Sequence, residues 1–141
     1  MRDFRRIRAW QRAHALSIAL NRLTRGFGRK GNAKLRAQLI SAVHSIATNI
    51  VEGSGAVTQR EFARYLDISI KSANETEYHL LTSRDLDLIS KAAWQNYSTE
   101  TMEVRKMIYA YRAAVLRDAS TPRPDRPSDD QPSAECSPLT G

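Results

Sequence analysis

Residues 33–53 read AKLRAQLISAVHSIATNIVEG, and their spacing decides the fold. Leu35, Leu39, Ala42, Ile46 and Ile50 recur at steps of three and four, which puts them on one stripe of a helix over 33–52. Gly53 and Gly55 follow where a left-handed C-terminal cap needs a residue without a β-carbon. A helix with one apolar stripe must bury that stripe against other elements, so the flanking segments have to supply partners.

They have the same period. Upstream, over 7–25, Ala9, Ala13, Leu16, Leu20, Leu23 and Phe27 share one side; Gly26, Gly28 and Gly31 then interrupt the pattern, and Asn32 stands as the N-cap of the next helix. Downstream, Thr58-Gln59-Arg60-Glu61 is a capping box, and Phe62, Leu66, Ser69, Ala73, Thr76 and Leu80 continue as a stripe. Its small and polar members imply close helix approach or a buried hydrogen bond. A fourth segment starts near Ser90 and runs to about Asp118, with Trp94, Tyr97, Thr101, Val104, Ile108, Tyr111 and Val115 in alternating steps of three and four. Short links between long helices favour antiparallel neighbours. The expectation is an all-α, up-down-up-down four-helix bundle over 1–118, followed by a disordered Pro/Ser/Asp-rich tail over 119–141.

Charge is unevenly placed along the 141 residues, whose net is +7. In the tail, Arg123 and Arg126 stand against Asp125, Asp129, Asp130 and Glu135. Residues 1–36 hold Arg2 and the ten cations Arg5, Arg6, Arg8, Arg12, Arg22, Arg25, Arg29, Lys30, Lys34 and Arg36 against Asp3 alone. Such an excess attracts polyanions whatever fold lies beneath it, or else serves as a solvated face that aids solubility. The ten cations are the candidate nucleic-acid-binding residues. The single cysteine, Cys136, excludes an intramolecular disulfide framework and suits a reducing, cytoplasmic compartment. The arginine-rich start lacks the apolar core of a signal peptide, and the uncharged run Ala37–Val51 is too short to span a bilayer. On helix 1, Ile7, Trp10, His14 and Ile18 form a second stripe away from the core stripe. Three large apolar groups aligned on one strip make a patch, here a candidate subunit interface.

Leu35-x-x-Gln38-Leu39-x-x-Ala42-x-x-Ser45-Ile46-x-x-Asn49-Ile50-x-Glu52-Gly53 resembles the signature of the four-helix bundle proteins of bacterial 23S rRNA intervening sequences. Phe4-x-x-Ile7-x-x-Trp10-x-x-Ala13 is similar to that family's opening, and Ser72-x-x-Glu75-x-Glu77 to its third-helix motif; together the likeness covers about residues 4–116. The link after Phe27 lacks the proline often seen in the family, and Lys71 replaces a usual glycine. The resemblance implies a homo-oligomer, a closed ring of five bundles, basic on part of its surface. A related branch, the accessory protein of diversity-generating retroelements, binds nucleic acid and a reverse transcriptase. On their own chemistry, Gln38, Ser45, Asn49, Glu52, Gly53, Glu75 and Glu77 read as architectural. Asn49 would satisfy buried polar groups, Gly53 would cap, and Glu52 at a helix C-terminus calls for a cationic partner.

Catalytic patterns are weak. There is no Glu-x-x-His for a di-iron bundle; Glu75 and His79 are four apart and read as a surface hydrogen bond; His14, His44 and His79 lie on three helices. Ser41, His44 and Ser45 cluster without a carboxylate to orient the histidine. Arg8 and His14 match the spacing of small helical ribonucleases, but Ala9 replaces the usual polar residue after the arginine. The sequence therefore reads as a non-enzymatic, cofactor-free scaffold binding RNA or DNA through its basic segment, or docking an acidic protein partner.

Overall fold

A computed structural model describes residues 2–120, and the disordered tail expected over 119–141 lies, apart from the first two positions, outside the described residues. A 3-10 turn, Phe4–Arg6, leads into α1 (Arg8–Leu23), α2 (Ala33–Ser54), α3 (Gln59–Asp85) and α4 (Lys91–Ser120), with no strand among the described residues. Each helix packs on its neighbours in sequence, α4 closes back onto α1, and no diagonal pair meets. Cross-helix partners show the directions. Ser72 meets Ser45 and Ser69 meets Ile46 between α2 and α3, while Asp67 meets Arg112 and Glu77 meets Arg105 between α3 and α4. Rising numbers on one helix meet falling numbers on the next, so the bundle is antiparallel throughout, up-down-up-down.

The core follows the expected stripes. Leu16, Leu20, Leu39, Ile46, Ile50, Phe62, Leu66, Leu80, Val104 and Ile108 are all essentially without solvent contact. Ile7 departs from expectation: it is 8% exposed and belongs to the core cluster rather than to a surface strip. The cause is local. Asp3 caps the preceding 3-10 turn, and Ile7 sits in extended conformation at its exit, so the helical wheel of α1 does not govern its direction.

Two caps differ from the sequence reading. Asn32 occupies the N-cap position of α2, but its side chain donates back to the Lys30 carbonyl at 3.0 Å and accepts nothing from the helix. Gly53 lies inside α2 and Gly55 caps it with φ −95°, so no left-handed cap forms there. Gly53 is needed for a different reason. A β-carbon at this position would stand 2.5 Å from Phe62 Cδ1 and 2.9 Å from Cε1, against the start of α3. The Thr58 hydroxyl does cap α3, accepting from the Glu61 amide at 3.0 Å.

The small polar stripe of α3 also has its explanation. Ser69 donates to the Ile46 carbonyl at 2.8 Å, Ser72 donates to Ser45 Oγ at 2.8 Å, and Asn49 donates to the same oxygen at 2.9 Å. Three signature positions thus make one chain of hydrogen bonds between α2 and α3. Glu77 donates nothing but accepts from Arg105 at 2.6 Å; Glu75 faces His79 at 3.2 Å; Gln38 is exposed. Glu52 is exposed and has no ion-pair partner among the described residues, contrary to the expected cation; its exposure leaves the carboxylate hydrated, where a pair would add little. Lys71, where the family usually has glycine, is exposed and disturbs no packing.

Replacing Gly53 by alanine forces a methyl group into the Phe62 ring. The expected cost is about 1–3 kcal/mol, read from the urea midpoint at unchanged slope, as for overpacked cores generally. A variant as stable as the parent would show that α2 and α3 can separate freely there.

Candidate nucleic-acid interface

The connection between α1 and α2 is the most basic part of the chain that is also ordered by its own hydrogen bonds. Phe27 is buried at 2% exposure and pins the link to the core. Its amide donates to the Thr24 carbonyl at 3.0 Å, and its carbonyl accepts from Lys30 at 3.1 Å and Asn32 at 2.9 Å. Gly31 takes φ +78°, a conformation that costs other residues strain, and this turns the chain into α2. The result is a compact 3-10 link, Gly28–Lys30, with its side chains directed outward.

Arg36 builds this link rather than displaying charge. From α2 it reaches back to donate through Nε to the Thr24 carbonyl at 3.0 Å and to Thr24 Oγ1 at 3.1 Å. Through Nη2 it donates to the Asn21 carbonyl at 3.2 Å and Oδ1 at 3.1 Å. Two of these acceptors are carbonyls at the end of α1 and two are side-chain oxygens beside them, and a planar guanidinium suits several at once. Arg12 is also engaged internally, donating to both carboxylate oxygens of Glu100 on α4 at 3.0 and 2.7 Å. That hydrogen bond, the largest cause, holds the Arg12 guanidinium above its usual range, opposed by burial.

The other cations fall into two groups. Arg22, Arg25, Arg29, Lys30 and Lys34 are exposed around the α1–α2 link and have no ion-pair partner among the described residues. Arg22 and Arg25 also lie where the C-terminal dipole of α1 favours cations. Arg5, Arg6 and Arg8 lie at the opposite end of α1, roughly 24 Å away for sixteen residues at helical rise. There Arg5 pairs with Asp3 at 3.2 Å. One continuous platform of ten cations is therefore not what the fold makes. It makes two clusters, and the α1–α2 link holds the larger. Near the α3–α4 turn, Arg84 pairs with Asp85 at 2.8 Å.

Of the interface strip on α1, Trp10 is half-buried between Phe4, edge-on at 4.9 Å, and His14, stacked at 4.9 Å. Ile18 is 41% exposed. Of the residues weighed for catalysis, Ser45 is used between α2 and α3, while Ser41, His44, Arg8 and His14 are exposed. Among the described residues no three potential ligands converge on a metal position, and no helix is long and apolar enough to cross a membrane.

Comparison with known proteins places this geometry. The family model for 23S rRNA-intervening sequence proteins matches residues 5–110. The chain belongs to that family. Among solved structures, a crystal structure of a protein of unknown function from the S23 ribosomal protein family of Bacteroides thetaiotaomicron superposes with a TM-score of 0.70. It is 21% identical, and the match covers 74% of this chain and 95% of that one. At this identity the likeness speaks for the fold alone. No curated protein matches the chain. As a member of the 23S rRNA-intervening sequence protein family, the chain has its Leu35–Gly53 signature within the matched span, and this part was legible in sequence. The roles of Arg12 and Arg36 were not, because only the fold shows that a cation spends its charge internally.

The two kinds of arginine should separate in stability measurements. Arg36→Gln is expected to lose about 1–3 kcal/mol in urea unfolding, as carbonyls at the end of α1 lose a charged donor. Arg29→Gln should stay within about 0.5 kcal/mol, as exposed substitutions usually do.

Proposed function

We propose that this chain is a non-enzymatic, oligomeric, cytoplasmic scaffold that binds RNA or DNA through the exposed cations of the α1–α2 link. One observation carries the reading: Arg22, Arg25, Arg29, Lys30 and Lys34 stand exposed and unpaired among the described residues, on a link ordered by its own hydrogen bonds. From residue 4 to residue 51 the chain contains no carboxylate, so α1 has none and the only one on α2, Glu52, lies at the end of that helix away from the link. Arginine side chains on such a surface donate paired hydrogen bonds to phosphate and stack on bases. Nothing in the arrangement selects a base sequence, so binding should follow phosphate density.

The test is a filter-binding titration with mixed-sequence single-stranded RNA and duplex DNA at about 50 mM salt, where phosphate contacts are strongest. Replacing Arg22, Arg25, Arg29 and Lys30 together with glutamine should lower affinity at least tenfold while leaving the melting transition in place. Binding by the parent that the quadruple variant retains would move the site elsewhere. Absence of binding by the parent would favour the other reading, a basic face that docks an acidic protein.

Assembly is the second part of the proposal. Trp10, His14 and Ile18 form the exposed side of α1, and an apolar residue 41% exposed beside a stacked aromatic pair suits a subunit contact. A ring of five is the number the family resemblance implies, with a reverse transcriptase among its possible partners. Ile18→Glu should reduce the mass measured by sedimentation while leaving the helical circular dichroism unchanged, since it would place an unpaired charge at the contact. A parent that sediments as a monomer at micromolar concentration would remove this part.

A further inference from the structure

A groove at the other end of the bundle is not used by the proposed function. It lies between the N-terminal turn, the start of α1 and the C-terminal half of α4, and encloses about 710 Å³. Its apolar lining consists of Ile7, Ala9, Met107, Ala110, Tyr111 and Ala114. Arg2, Arg6 and Arg8 complete it, against Asp3. A mostly apolar cleft of this size with a few charged groups at one side is the usual form of a binding site. The Tyr111 hydroxyl is held above its ordinary range by burial, with Arg2 acting in the opposite direction. The phenol therefore stays neutral and able to donate at physiological pH.

We propose that this groove is the docking site for the chain's own segment Pro124–Pro132. That segment reads PDRPSDDQP. Asp125, Asp129 and Asp130 stand against Arg126, a net charge of −2, while the groove lining has three arginines against one aspartate, a net of +2. The apolar components also match. Proline-rich segments with a Pro-x-x-Pro spacing, here Pro124 to Pro127, lay their rings into aromatic-lined grooves at low entropic cost. Tyr111 and the methyl groups of Ala110 and Ala114 supply such a floor. The reach is adequate. Ser120 ends α4 six residues beyond Ala114, roughly 9 Å along the helix. Residues 121–124 can then span roughly 13 Å when extended. A segment tethered this closely has a local concentration on the order of millimolar, so weak charge pairing suffices to hold it. This does not depend on nucleic-acid binding, because the groove lies at the opposite end of α1 from the basic link.

Cys136 is the single cysteine and lies four residues beyond Pro132, so a spin label can be attached to the full chain without mutation. The groove floor is rich in methyl groups, which suits methyl-detected NMR. In full-length protein labelled at Cys136, the methyl signals of Ile7, Ala9, Met107, Ala110 and Ala114 should lose most of their intensity, while Ala33 and Ala37 at the other end keep theirs. Arg6→Gln/Arg8→Gln should restore the groove signals, and so should about 0.5 M salt, since screening is then strong within a few ångströms. Three outcomes would overturn the assignment. One is intensity loss centred on Ala33 and Ala37, and another is no site-specific loss. The third is loss at the groove only in isotope-labelled chains mixed with separately spin-labelled ones, which would assign the docked segment to a neighbouring copy.

Discussion

Between Asp3 and Glu52 this chain contains no carboxylate, so α1 has none and α2 has only Glu52, exposed in its last turn. Among the described residues no ion pair joins the two helices. What holds them is apolar packing, hydrogen bonds to neutral acceptors such as those Arg36 makes to Thr24 and Asn21, or carboxylates supplied from elsewhere. The structure uses all three. Leu16, Leu20, Leu39 and Ile46 supply the packing, Ser45 and Asn49 join α2 to Ser72, and Glu100 on α4 receives Arg12. Other ion pairs between helices join α3 and α4, at Asp67–Arg112 and Glu77–Arg105. Those pairs are partly exposed and orient the helices more than they stabilise them. The cations that none of these devices absorbs are left pointing into solvent at the ends of α1.

The contact between α2 and α3 meets the same constraint by proximity. With Gly53 against Phe62 and serines at positions 45, 69 and 72, the two backbones approach closely enough for side-chain hydroxyls to reach the opposite helix. Close approach lets short polar groups do what long charged side chains do elsewhere in the bundle. It also explains why the family-like signature has Ser45 and Asn49 among its apolar positions and Gly53 at its end. Gly53, which looks like a cap residue in sequence, is a packing residue in the fold.

The four helices, their antiparallel order and nearly all of the core were legible from periodicity, because amphipathic spacing reports burial directly. Ile7 was not, since its direction is set by a capped 3-10 turn that interrupts the wheel. Gly53 was recognised as necessary but for the wrong reason, because a cap glycine and a crossing glycine look alike until the partner helix is placed. The basic segment was visible as a charge count. Its division into two clusters, and the withdrawal of Arg12 and Arg36 into internal bonds, depend on which carboxylates and carbonyls the fold brings within reach. Sequence distance does not encode that.

The claim that the α1–α2 link presents unneutralised charge to a polyanion has a thermodynamic signature that mutagenesis does not supply. The measurement is the dependence of the observed association constant for a single-stranded oligonucleotide on salt concentration. If the five exposed cations of the link each neutralise a phosphate, the slope of log K against log salt should be about −3.5, from a coefficient near 0.7 per contact. A slope shallower than about −1 would mean that at most one phosphate is neutralised, and would contradict the claim.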